Sequence, residues 1–540
     1  MSFRQAVSKL CKELLNSAPM RIKPYNSCPI AGKLIVSKYD FGGHSSSNHR
    51  REVFQWVILF GQAAIILGTC STPSLAEDVS TGSSSENGSS GFRKIEDASM
   101  ISNEHTSKWR VFTDNGRDYF SQGNIEQAEI FFRSALQEAK EGFGERDPHV
   151  ASACNNLAEL FRVKKDFASA EPLYVEAINI LEEHFGTDDV RVGAALHNLG
   201  QFYLVQRKLE DARVCYERAM KIKRRVLGEA HTDYADTMYH LGTVLYLQGK
   251  EKDSEDLIAD SIRILEAAGQ GESILCIRRM QYLIQMYTKS SRFAEAEILL
   301  RKILHTMELS KGWKSLDTVV VAERLALTLE TAGRLNEAEE LLERCLDARK
   351  NLLPDDHIQN AANMLYIARV KMLVSNQLMK TDSSRAVAEL DIAKNLLRSS
   401  IRVARRVLVR LLEKKGNREP IGGLRKTGKD AQSAALILLQ SLNALGSLEI
   451  MKLEFLGSRE YIPAEADAAL RQCISTFKEF GDQHSISDSP QVKAEYLSCL
   501  RRLDYLLCNG LTSEIGAAKD IKDEIRRVEG EISKAGKTRS

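Results

Sequence analysis

Apolar residues along most of this chain recur at i, i+3, i+4 and i+7, the spacing that places them on one face of a helix. The pattern predicts two amphipathic helices over Val192–Gln206 and Leu209–Leu227. The pair is then rewritten. The string "CNNLAELFRVKKDFASAEPLYVEAINILEEHFG" (Cys154–Gly186) returns as "LHNLGQFYLVQRKLEDARVCYERAMKIKRRVLG" (Leu196–Gly228), and Leu157 to Leu199 is 42 positions. Steps of 42 from Asn115 reach Leu157, Leu199, Leu241, Leu283, Leu325 and Ile367. The next residue at each step is Gly116, Ala158, Gly200, Gly242, Ile284, Ala326 and Ala368. Twelve further on come Ala128, Ala170, Ala212, Ser254, Ala296 and Ala338. The register holds from about Trp109 to Ile367 without a slip.

The small residues have a steric task. Gly200 and Ala212 lie where paired helices must approach, and a large side chain there would push them apart. Gly228 follows the second helix, the usual place for a glycine past a C-terminus. Asp147-Pro148 and Asp188-Asp189 suit a first turn, where proline costs no hydrogen bond and acid meets the helix dipole. One such helix pair cannot bury its apolar face alone, so the pairs must stack.

Small and aromatic residues at these offsets resemble the tetratricopeptide pattern, whose repeat is usually about 34 residues. Gly144–Gly186, with "DPHVA", "NNLAELF", "AEPLY" and a closing "FG", looks like the longer, 42-residue repeat of kinesin light chains. The resemblance implies an all-α fold, a tetratricopeptide-repeat right-handed α-solenoid whose first helices line a concave face, here with a C-terminal helical extension. It also implies a protein partner in that groove, as an extended peptide or a helix. The groove positions then comprise Thr113, Arg117, Phe120, Asn155, Asn156, Glu159, Arg162, His197, Asn198, Gln201, Leu204, Tyr239, Thr243, Tyr246, Gln281 and Gln285. Asn155 and Asn156 fall in the "NNLA" segment, where kinesin light chains use asparagines to hold a cargo backbone. An amide supplies both donor and acceptor.

The chain ahead of the repeats has a different character. Residues 1–51 carry nine basic residues and two acids, the composition of an organellar transit peptide. Val53–Gly68 is apolar but short for a membrane span of about 20 residues. Ser74-Leu75-Ala76 ends this stretch with a small-x-Ala cleavage pattern, and Arg50-Arg51 precedes it. Together they resemble the bipartite targeting peptides of plant thylakoid-lumen proteins. The expectation is a chloroplast protein, in the thylakoid lumen after cleavage between Ala76 and Glu77. Mitochondrial location, a retained membrane anchor at 53–68 and an uncleaved cytosolic tail stay open. Residues 77–105, rich in Ser, Gly, Asn and Glu, read as a flexible linker. Kinesin light chains place a heptad coiled coil there.

The expected organisation is a targeting segment over 1–76, the linker over 77–105, and about seven repeats over 106–400. A basic helix end and loop over 401–429 and a degenerate repeat with capping helices over 430–540 follow. Ala386 and Ala393 suit a seventh second helix with about six inserted residues, and Leu445-Gly446 suits the start of an eighth repeat. "KKGNREPIGGLRKTGK" (Lys414–Lys429) reads as a loop.

Composition changes this picture little. The net charge is only +2 over 540 residues, so nucleic acid is not an expected partner. Arg402–Lys429 holds ten basic residues against two acids, which keeps RNA binding as a lesser alternative. Gly423–Asp430 nearly spells a phosphate loop, but no strand precedes it and Asp430 stands where Ser or Thr would bind magnesium. Cys154, Cys215, Cys276 and Cys345 sit in helical apolar patterns and read as core. No HxxxH or HExxH occurs, so no metal is expected at His197 or His240, and no cofactor or catalytic residue is expected anywhere. The leading expectation is a non-enzymatic organellar scaffold, with a setting in membrane-complex assembly. A cytosolic cargo adaptor of kinesin-light-chain type is the alternative. Oligomeric state is unassigned.

Overall fold

The computed structural model describes residues 104–379, 381–413, 421–456, 464–481, 483–509, 511 and 518–537. The expected targeting segment, the linker up to residue 103 and residues 414–420 lie outside the described residues. The described chain divides into two units, up to Thr288 and from Lys289 onward. Every regular element among the described residues is helical.

The first unit is a run of hairpins. α1 (Glu104–Ser121) pairs with α2 (Ile125–Phe143), α3 (Pro148–Lys164) with α4 (Phe167–Phe185), α5 (Val190–Val205) with α6 (Leu209–Leu227), and α7 (Thr232–Leu247) with α8 (Glu251–Ala267). α9 (Ile274–Lys289) follows. The second helices α2, α4 and α6 also pack on the next first helices α3, α5 and α7, and the first helices touch one another from α3 to α5 to α7. The helix α1 begins at Glu104, two residues inside the stretch expected to be linker.

Three local devices recur at the repeat interval. Asp147 and Asp189 cap α3 and α5 by accepting from His149 N and Arg191 N, and His231 Nδ1 does the same for α7. Gly144, Gly186 and Gly228 end the second helices at φ of +87°, +86° and +86°, where a Cβ would be strained. Inside each hairpin, Gly123, Lys165, Arg207 and Gly249 all have left-handed φ. The next N–H then donates back five residues, as in Asp166 N to Phe161 O (2.9 Å) and Lys208 N to Tyr203 O (3.0 Å).

The hairpins close through one steric fit. A Cβ on Gly116 would lie 2.5 Å from the Phe132 ring, and one on Gly242 would lie 2.8 Å from Ile258 Cγ1. Gly200 faces the Tyr216 ring at 3.0 Å. Each large partner stands sixteen residues after its glycine and is fully buried. Ala128, Ala170, Ala212 and Ser254 are completely buried as well. Ser254 keeps its hydroxyl satisfied by donating to Gly242 O at 2.6 Å.

The second unit begins with α10 (Phe293–Ser310), α11 (Leu316–Thr331), α12 (Leu335–Leu352), α13 (Ile358–Leu378) and α14 (Ser383–Glu413). Ala386 and Ala393 are fully buried on α14, the position given to a seventh second helix. α15 covers Ile421–Leu456, so residues 421–429 are helical where a loop was expected. Residues 434–451 of that helix form the centre of the unit, with α13, α14, α16 (Ala464–Phe480) and α17 (Pro490–Cys508) packed on it. Asp430–Leu453 has the length and hydropathy of a membrane span, but 94% of its most apolar 18-residue stretch is buried inside the protein. That marks a core helix. Gly446 repeats the glycine fit against Leu470. α18 (Ala518–Lys537) packs on α17. Cys473 and Cys499 form a disulfide between α16 and α17, which the reading of cysteines as core did not anticipate. Cys154, Cys215, Cys276 and Cys345 are buried in helix cores.

Gly116→Ala should destabilise the first unit. Overpacking against Phe132 costs about 1–3 kcal/mol, against a helix-propensity gain of about 1 kcal/mol. The urea midpoint should fall, and Phe132→Leu in the same chain should restore it. A midpoint that rises in the single variant would show that the ring is not held there.

Candidate functional site

The first helices carry the residues that differ most between repeats. α3, α5, α7 and α9 place Asn155, His197, Tyr239 and Gln281 at one repeat position, and Asn156, Asn198, His240 and Tyr282 at the next. Side chains pair across neighbouring first helices with an offset of 43, one repeat plus one residue. Asn198 Nδ2 donates to Asn155 Oδ1 at 3.0 Å with both side chains buried. The rings of His197 and His240 meet edge to face at 5.0 Å. Arg279 Nη2 donates to Asp236 Oδ1 at 2.9 Å. Tyr239 and Tyr282 cross at 5.9 Å, with the Arg279 guanidinium over the Tyr239 ring. These pairs form a seam of polar and aromatic contacts along the first-helix layer.

The seam sorts the expected groove residues. Asn155, Asn198, His197 and Tyr239 are joined to the next repeat within it. Glu159 and Arg162 are instead committed to the core of their own hairpin. Arg162 Nε and Nη2 donate to Glu159 Oε2 at 3.0 and 2.9 Å, and Tyr174 of α4 donates to Glu159 Oε1 at 2.5 Å. Burial works against the Arg162 charge, and Glu159 more than offsets it, so its pKa is raised. Burial also pushes the Tyr174 hydroxyl well up, with the Glu159 charge adding to it. Thr113, Thr243 and Leu204 are buried, and Thr243 Oγ1 donates to Tyr239 O. Arg117, Phe120, Gln201, Tyr246, Gln281 and Gln285 are half-buried. The Tyr246 ring crosses that of Tyr282 at 5.9 Å. Asn156 is 2% exposed, and its Nδ2 has no hydrogen-bond partner among the described residues.

The sequence reading missed Asp236, Thr237, Arg279 and Lys223. The signal was present: Asp236 stands four before His240, on the same helical face, and one repeat plus one residue before Arg279. The three groups His197, Asp236 and His240 bring ligand-type atoms within 4.8 Å of one another. In the second unit, Arg406 and Arg410 of the basic row both bind Asp356, at 2.6 and 3.1 Å. Lys394 and Arg398 on the same helix hold Glu465.

Tetratricopeptide-repeat family models match residues 110–183 and 191–267, and a further one matches 318–359. The chain therefore carries tetratricopeptide repeats in an all-α solenoid, the architecture of protein–protein interaction scaffolds. No curated protein matches it. A putative kinesin light chain repeat structure from Podosopora anserina is 17% identical over 38% of this chain and 99% of its own, with a TM-score of 0.35. The apo form of RapI is 12% identical over 80% of this chain and 99% of its own, TM-score 0.47. The apo quorum sensor NprR from B. thuringiensis is 11% identical over 78% and 99%, TM-score 0.38.

Glu159→Ala should be severe, because it leaves Arg162 buried and uncompensated, a cost of about 3–5 kcal/mol. Glu159→Ala with Arg162→Met should recover much of that loss in urea unfolding. A single variant within about 0.5 kcal/mol of wild type would show the pair to be solvated.

Proposed function

We propose that the first-helix face of residues 104–288 holds an extended segment of a partner protein through side-chain amides, and that the protein is a non-enzymatic adaptor. The observation that carries this is a set of half-buried amides on the first helices, Gln201, Gln281 and Gln285. Each supplies both a donor and an acceptor, which fits the N–H and C=O groups of an extended partner backbone. Gln281 and Gln285 stand together on α9, two repeats beyond Gln201 on α5, and Arg117 adds a donor in the first hairpin. The binding is of modest strength; micromolar affinity is about −8 kcal/mol.

The packing positions decide which residues can test this. Asn155 and Tyr239 join adjacent repeats, so their loss would disturb the stack itself. Gln201→Ala with Gln285→Ala removes two half-buried amides while leaving the seam intact. Two hydrogen bonds at about 0.5–1.5 kcal/mol each correspond to roughly a tenfold or greater loss of partner affinity. Capture of the native partner should fall by that factor while the melting temperature holds. Equal capture by the variant contradicts the proposal.

We place the adaptor in an organelle, in the thylakoid lumen after cleavage between Ala76 and Glu77. The Cys473–Cys499 disulfide supports an oxidising compartment over the reducing cytosol, which disfavours a cytosolic motor adaptor. The sharing of Asp356 by Arg406 and Arg410 weakens the RNA reading, since those charges already have a carboxylate. Mass spectrometry of the protein from its own cells should find a mature chain starting at Glu77. A chain starting ahead of Val53 overturns the lumenal placement.

A further inference from the structure

The His197, Asp236 and His240 side chains meet between two adjacent repeats. His197 comes from α5, and Asp236 and His240 come from consecutive turns of α7. Asp236 Oδ2 lies 3.7 Å from His197 Nε2, and Asp236 Oδ1 lies 3.9 Å from His240 Nε2. Hydrogen bonds around Thr237 orient the His197 ring. Thr237 Oγ1 has one hydrogen, which it donates to Asp233 O at 3.1 Å. The same oxygen accepts from Lys223 Nζ at 3.0 Å. Its remaining lone pair faces His197 Nδ1 at 3.1 Å, so Nδ1 carries the hydrogen there. His197 is buried, Asp236 and His240 are half-buried, and ligand-type atoms of the three side chains lie within 4.8 Å of one another.

We propose that His197, Asp236 and His240 bind a divalent transition-metal ion of the zinc class, bridging the repeats of α5 and α7. Two imidazoles and a carboxylate are a donor set that zinc accepts with a fourth position left over. Bonds of about 2.0–2.1 Å in a tetrahedron require ligand atoms about 3.4 Å apart, so the three groups need only small side-chain rotations to close. The supporting contacts fit the role. A metal-bound histidine usually donates its other nitrogen to a fixed acceptor, and Thr237 Oγ1 is that acceptor. Arg279 holds Asp236 through Oδ1, leaving Oδ2 toward His197. The Tyr216 ring stacks on His240 at 5.7 Å and limits its swing. The ion would pin one repeat to the next on the face where the partner is proposed to lie.

Titration of the full chain with Co²⁺ tests this. One equivalent should produce a visible d–d absorption band that Zn²⁺ abolishes by displacement, and His240→Gln should weaken Co²⁺ binding at least tenfold. No band at one equivalent in the wild-type chain overturns the proposal, as does an unchanged band in a folded His240→Gln variant. If that variant does not fold, ring ¹⁵N spectra of the wild-type chain decide. Zn²⁺ should shift two histidine Nε2 resonances, and a spectrum unmoved by Zn²⁺ contradicts the site.

Discussion

The first unit depends on one steric fit, a small residue on the first helix of each of its four hairpins facing a large side chain sixteen positions later on its partner. Gly116 against Phe132, Gly200 against Tyr216 and Gly242 against Ile258 bring two backbones close and leave no room for a Cβ without movement. Interiors at native packing density transmit such a demand to their neighbours. The separation of each hairpin then sets where the next can lie. The left-handed turns at 123, 165, 207 and 249 and the caps at Asp147, Asp189 and His231 serve that geometry. Glu171 with Tyr203 and Glu255 with Tyr287 repeat one outward hydrogen bond 84 residues apart, at 2.9 and 3.1 Å.

That constraint explains what was legible in the sequence. Side-chain size at fixed offsets is a direct record of helix approach, so Gly200, Ala212 and Gly228 could be assigned their tasks from spacing alone. The left-handed turns were less visible, because Lys165 and Arg207 occupy a conformation for which composition suggests glycine. Such residues cost about 1–2 kcal/mol, borne by the hairpin they close. Residues 421–429 read as loop because Gly422, Gly423 and Gly428 are poor helix formers. Extending a helix already nucleated by a long apolar core gains one hydrogen bond per residue, and that outweighs local propensity.

Pairings between helices left the weakest trace. The Cys473–Cys499 bridge joins helices whose contact no linear spacing announces. The seam was hidden for a related reason: its pairs are offset by 43, while the sequence repeats at 42. A search for histidines on one helix finds nothing, whereas the fold draws His197 to Asp236 and His240 from the next repeat. The groove residues were legible as a class, since they vary where packing positions do not. Which of them serve the stack and which remain for a partner depended on tertiary contacts. Glu159 and Arg162 belong to a buried ion pair, whereas Gln201, Gln281 and Gln285 keep half-buried amides on the first helices.

A scaffold built this way separates its two tasks by position. Small and large core residues hold the repeats, and first-helix amides meet a partner. Site-specific photocrosslinking in native extract tests that separation most directly, with a photoreactive residue in place of Gln201 on α5 or of the exposed Val214 on α6. The account predicts a partner adduct from position 201 and none from 214. Adducts from 214 alone would place the partner on the second helices and contradict it.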